Sequence, residues 1–300
     1  MSKSLRTLYL DTMLWNELCD EGLKAEQLMS MLADRGAELV ISTQLVYELA
    51  KTFQSNKENS QERGKALFRY LNQFVEKRIR CLKMNRDILI EEVRRANSAL
   101  STVVPYLRAD DYERLRQEVK KLSRGVFDSK ADQFISARKN IARSVRSNIV
   151  RSMEVLRFVK EVCGRLSFEE FLERFGGTHA ADMVELHLLA LIPSADRRKL
   201  RRVAKKLAAS SKYRLSHALV RADLYLHWRS ARGESLPRDA QDDCYHLVNS
   251  AYCDTYATKD QYQKTYAPHV LRETTVAIYD SSSSLSDWFC LLLGRTSVRR

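Results

Sequence analysis

Short runs of apolar residues at the two ends of the chain alternate with helical periodicity, while the long middle is helical throughout. Leu5 to Leu10 reads as a strand. A helix is predicted over Trp15 to Asp34, closed by Gly36. The run ELVIST, Glu38 to Thr43, predicts a second strand, and QLVYELAKTF a helix after it. Strand, helix, strand, helix with tight joints points to a parallel sheet with crossover helices.

From about Phe53 to Arg232 the pattern carries no strand signal. Breaks are expected at Val104-Pro105, Arg124-Gly125, Gly176-Gly177 and Ile192-Pro193. After Pro237 the alternation returns. DAQDDCYHLVNSAYC predicts a helix, DTYATKD holds a short strand, and Thr274 to Asp280 forms a last one. Four serines, Ser281 to Ser284, lead into DWFCLLLGRTSVRR, an apolar segment with a basic tip suited to docking on the domain or on a partner.

With 300 residues, 9 Gly and 4 Pro, the chain suits long helices and excludes an all-β fold. The six cysteines form no CxxC pair and show no zinc spacing. Reduced thiols in a cytoplasmic protein are expected. No run reaches the length of a membrane span, so no membrane partner is expected.

The net charge of +13 is unevenly spread. Residues 53–235 hold 39 Lys and Arg against 22 Asp and Glu, whereas the remainder holds 12 against 16. An acidic α/β core interrupted by a basic helical insertion matches carboxylates that collect a cation beside a surface that collects a polyanion.

The acids fall at telling places. LYLDT puts Asp11 at the exit of the first strand, and STQLVYELA puts Glu48 on the helix after the second. DDCYHLV opens a helix with Asp242 and Asp243, and ATKD sets Asp260 just past another strand. Such positions converge on one edge of a parallel sheet. Capping is the plainer role for Asp11 and Thr12. On a helical wheel Asp243 borders the stripe of Cys244, Leu247, Val248 and Ala251, while Asp242 points nearly opposite. His246 and Asp239 share the Asp243 side, and His246 alone reads most simply as a structural hydrogen-bonding residue. Asp254 offers a fifth acid or a turn.

In LYLDT, the acid after the second strand, the acid opening the late helix and the T-x-D of ATKD, the chain resembles the PIN domain, a family of metal-dependent nucleases. Asp-x-x-His at Asp243–His246 and the following YCDTYATKD are similar to a PIN-like subgroup. The resemblance covers about 120 residues in two pieces. It implies a Rossmann-like parallel sheet in which Asp11, Glu48, Asp243 and Asp260 hold Mg²⁺ or Mn²⁺ and cleave single-stranded or loop RNA. Met13 departs from the pattern, since many PIN domains have Asn or Ser there. Hard carboxylate oxygens suit these ions, which lower the pKa of an attacking water.

The division expected is a nuclease core at 1–52 plus 235–280, a basic helical insertion at 53–234 and a tail at 281–300. For nucleic-acid contact the insertion offers Arg198, Arg201, Arg202 and Lys205 in one helix and Lys139, Arg143 and Arg146 in another, with Tyr213 and Tyr245 placed to stack bases. The partners expected are RNA (tRNA, mRNA or rRNA), single-stranded DNA, or a protein that keeps the nuclease silent, as in the toxin–antitoxin and phage-defence settings of the family. The alternative is a non-catalytic nucleic-acid-binding module on a degenerate PIN fold.

Overall fold

The computed structural model describes residues 5–98, 102–128, 165–192, 194–234 and 240–295. Among them five strands form one all-parallel sheet: β1 (Arg6–Leu10), β2 (Ala37–Ser42), β3 (Arg80–Leu82), β4 (Thr255–Thr258) and β5 (Thr275–Ile278). Their order is β3-β2-β1-β4-β5, a doubly wound arrangement compatible with a Rossmann-like fold. Leu8 pairs with Leu39 on one side and with Thr255 on the other.

Burial on both faces explains why the central strands are nearly continuous apolar runs. Alternate residues enter opposite cores. Leu8, Leu10, Leu39 and Ile41 face one, and Tyr9, Val40 and Tyr256 face the other. The first core is covered by α1 (Thr12–Glu21), α2 (Ala25–Ala33), α3 (Thr43–Ala50), α4 (Ser60–Glu76) and α6 (Ala109–Ser123). The second is covered by α5 (Asn85–Asn97), α7 (Phe168–Phe171), α8 (Gly177–Leu191), α9 (Arg197–Ala208), α10 (Arg214–Ala231), α11 (Ala240–Asn249) and α12 (Gln261–Val270). The last helix, α13 (Leu285–Arg295), returns to the first core and buries Leu285, Phe289 and Leu293, so the C-terminal apolar segment docks on the chain itself.

Four sequence expectations change. The helix predicted over Trp15 to Asp34 is two helices, because Gly22 takes φ 66° and ends α1 in the left-handed region open to glycine. The stretch 53–234 is not purely helical: β3 lies within it and forms an edge of the sheet. Nor does it stand aside as an insertion. Phe68 and Phe74 of α4 and Val119 of α6 fill the first core, and α5 and α10 fill the second. A boundary at residue 53 therefore cuts through the packing.

Gly176 and Gly177 are not a break either. A π turn, Leu172–Gly176, carries α7 directly into α8. One buried acid ties the basic stretch together. Glu92 of α5 accepts the Leu215 and Ser216 amides of α10 at 2.9 and 3.0 Å, the Ser216 hydroxyl, and the Tyr252 hydroxyl at 2.7 Å. A carboxylate at a helix N-terminus satisfies amides that have no partner in their own helix.

Candidate functional site

Strand order places the switch point between β1 and β4, since the chain winds outward from β1 in both directions. Ligands of doubly wound sheets bind beyond the carboxyl ends of the strands there. Asp11 leaves β1 and Asp260 follows β4 at that point.

Asp11 is buried, at 1 % exposure, and caps α1. Its Oδ1 accepts the Leu14 amide at 2.8 Å. The hydroxyl of Thr258, the last residue of β4, donates to Oδ2. The same Thr258 oxygen accepts the Asp260 amide at 3.0 Å. Asp260 in turn caps α12 by accepting the Tyr262 amide at 2.7 Å. Two helix N-termini thus meet across one hydroxyl. Burial raises the Asp11 pKa to about 6, the bonds from Thr258 and Leu14 oppose the rise, and the charge of Asp260 adds to it.

Asp243 is half-buried near the start of α11. The Tyr266 hydroxyl feels the charge of all three acids. Burial raises its pKa first, then Cys244, Asp243, Asp260 and Asp11. That hydroxyl is buried and has no hydrogen-bond partner among the described residues.

Glu48 lies on α3 with a different setting. Lys51 pairs with it at 2.9 Å and Gln44 donates to it at 3.0 Å. Its charge reaches Tyr9, whose hydroxyl shares hydrogen bonds with Ser42 at 2.6 Å and with His246 Nε2 at 3.1 Å. Burial, aided by Lys51, lowers the His246 pKa to about 3, so the imidazole is neutral and serves as a buried hydrogen-bonding group. Asp254 stands at the opposite end of β4, where it accepts the Thr7 amide at 2.8 Å and the Thr7 hydroxyl at 2.9 Å. It stitches β1 to β4 and takes no place beside Asp11. Asp239 and the side chain of Asp242 lie outside the described residues.

The carboxylates therefore gather in part. Asp11 and Asp260 share the Thr258 hydroxyl, and Asp243 is linked to them through the charge that all three exert on Tyr266. Among the described residues, however, no group of three or more His, Cys, Asp or Glu side chains stands close enough to hold a metal ion. The donor atoms are hard oxygens of the kind Mg²⁺ and Mn²⁺ prefer, and burial pushes one of the carboxyls toward its neutral form.

On the basic side, Arg198, Arg202 and Lys205 are exposed along α9, opposite the buried Leu200, Val203, Ala204 and Leu207. Arg201 is not available in the same way: it pairs with Asp182 and, at 2.9 Å, with Glu185. Tyr213 does not present a stacking face, because it is buried between Arg95 and Lys212. Tyr245 is half-buried beside His187. Lys139, Arg143 and Arg146 lie outside the described residues.

Thr258 stood in the sequence as the Thr of T-x-D but without a role of its own, and Tyr266 was not singled out, since nothing local marks it. No family model, curated protein or solved structure matches this chain. No helix among the described residues is long and apolar enough to cross a membrane.

Proposed function

We propose that the carboxyl edge of the sheet is a PIN-like, metal-dependent endonuclease site acting on single-stranded or loop RNA. The observation that carries this reading is the hydrogen-bonded link of Asp11 and Asp260 through the Thr258 hydroxyl at the switch point. Asp11, Asp243 and Asp260 would hold Mg²⁺ or Mn²⁺, with Glu48 joining on release from Lys51. Such an ion supplies a water of lowered pKa and offsets charge on the leaving oxygen. Thr258 keeps Asp11 and Asp260 in register, and the N-termini of α1 and α12 favour an approaching phosphate. Arg198, Arg202 and Lys205 of α9 supply phosphate contacts for the polyanion.

One observation favours a second reading, a nucleic-acid-binding module without catalysis. Both Asp11 oxygens already accept hydrogen bonds, and the acids are not gathered to ligating distance among the described residues. The deciding experiment is incubation of mixed cellular RNA with the wild-type chain and with Asp11→Asn, each with Mn²⁺ and with EDTA. Discrete fragments from wild type with Mn²⁺ alone are expected. Intact RNA in every lane, with binding that persists in EDTA, would replace the nuclease by the binding module.

A further inference from the structure

Gly176 and Gly177 are both right-handed helical, at φ −64° and −62°, so neither is needed for a left-handed turn. Glycine in such positions is less favourable than alanine, because the unfolded chain gives up more freedom. Both sit where a π turn joins α8, and π turns recur at functional sites. A Cβ on Gly177 would meet no atom within 4 Å, and one on Gly176 would make only ordinary contacts with Leu172 and Leu224, at 3.5 and 3.7 Å. Packing does not demand the two glycines. What they leave is room.

Both line a cavity of about 360 Å³, Gly176 half-buried and Gly177 exposed at its opening. Its walls are aliphatic, with Leu172, Ala218, Leu224 and Leu271 among them, and its rim carries Arg214, Arg221 and Arg272. Arg214 is matched by Glu273 at 3.1 Å and Arg221 by Glu169 at 2.8 Å. Arg272 is exposed in the turn before β5. The Arg221 pKa is lowered chiefly by burial and further by the charge of Arg272, against the pull of Glu169. His217 lines the same space, with its Nε2 turned away from it and buried.

We propose that this cavity binds a small molecule with an apolar body and one anionic head group, a carboxylate or a phosphate ester. The head lies at Arg272, and the body lies on the aliphatic wall formed by Leu172, Ala218, Leu224 and Leu271. Cavities of a few hundred Å³ with apolar walls and a few convergent polar groups are the usual form of such sites. Ala251, shortly before β4, and Thr274, immediately before β5, line the cavity, so it lies where the strands begin. The acids lie at the opposite edge. The occupant is therefore distinct from the substrate of that edge, and the proposal stands whether or not the chain cleaves RNA.

Titration calorimetry of the full chain with octanoate and with phenyl phosphate tests this, with 1-octanol and inorganic phosphate as the two halves. Saturable one-to-one binding of at least one amphiphilic anion is expected, with a Kd below about 1 mM. Each half alone should bind at least roughly tenfold more weakly, a difference of about 1.4 kcal/mol. The two anions separate a carboxylate ligand from a phosphate ester. Gly177→Leu narrows the cavity opening and should weaken binding several-fold, Gly177→Ala should retain it, and Arg272→Gln should remove the preference for the anion. Failure of both anions to bind would overturn the proposal, as would undiminished binding by Gly177→Leu in a folded protein. If Gly177→Leu does not fold, Arg272→Gln decides: unchanged anion preference refutes the site.

Discussion

Thr258 donates its hydroxyl proton to Asp11, and with the same oxygen accepts the amide of Asp260. A single side chain thus fixes the spacing of two acids that belong to opposite ends of the chain. Its loss is expected to unlock both helix caps at once, which neither acid alone would do.

The pH dependence of stability should carry the mark of Asp11. Its folded pKa of about 6 lies above the ordinary 3.8, so the stabilising contribution is complete below 3.8 and is lost as pH rises through about 6. The loss amounts to roughly 3 kcal/mol. Asp11→Asn, which keeps an acceptor for the Leu14 amide, should be more stable than wild type at pH 7.5 and should lack this slope. Urea unfolding between pH 4 and 8 measures it. Parallel curves for the two proteins would show that Asp11 does not titrate as described.

His246 slopes the other way. Its folded pKa of about 3 lies below the ordinary 6.5, so its contribution is present above 6.5 and is lost as pH falls toward 3. In NMR spectra its ring protons should not titrate between pH 5 and 8, and replacing it with Phe should cost on the order of 1 kcal/mol because the Tyr9 hydroxyl loses a partner. A titration midpoint near 6.5 would place the ring in water instead.

The basic face of α9 divides into charges that are available and one that is spent. Replacing Arg198, Arg202 and Lys205 together by Ala should lower the salt dependence of RNA binding, by about 0.7 in slope for each phosphate no longer neutralised. Arg201→Ala should leave that slope unchanged, since Asp182 and Glu185 already hold it, and should change stability little because the pair is well exposed. Equal slopes for the triple variant and wild type would remove α9 from the interface.

Glu92→Gln is expected to destabilise the chain by about 3 kcal/mol, because an amide cannot accept from two backbone N–H groups and two hydroxyls as a carboxylate does. Chemical denaturation reports the total. Hydrogen exchange at Leu215 and Ser216 shows whether the first turn of α10 opens before the rest. Unaltered protection there would mean that α10 does not depend on this cap.

Four of the five strands were legible in the sequence, because a strand buried on both faces must be apolar almost throughout, as in TLYL and ELVIS. β3 was not, since Arg80–Leu82 is too short to show a pattern and opens on an exposed arginine. Strand exits brought Asp11 and Asp260 to one edge on order alone, and the buried stripe of α11 accounts for the half-buried place of Asp243. Composition misled where it averaged. The charge of residues 53–234 reflects their exposed faces and hid the Leu, Phe and Val that fill both cores. Arg201 kept helical spacing with its neighbours, but spacing says nothing of acids on another helix. Gly176 and Gly177 suggested a stop because glycine usually ends helices, whereas here they continue one.

The sheet pairs β1 with β4, its neighbour in space but far later in the chain. During synthesis β1, β2 and β3 emerge early, and one edge of β1 waits unpaired until the last fifth of the chain is made. Closing so long a loop is entropically costly and slow, and an open strand edge is a hazard meanwhile. A polypeptide interrupted before Asp243 carries Asp11 without Asp243, Thr258 or Asp260, so Asp11 meets its Thr258 partner at this edge only once β4 has been made.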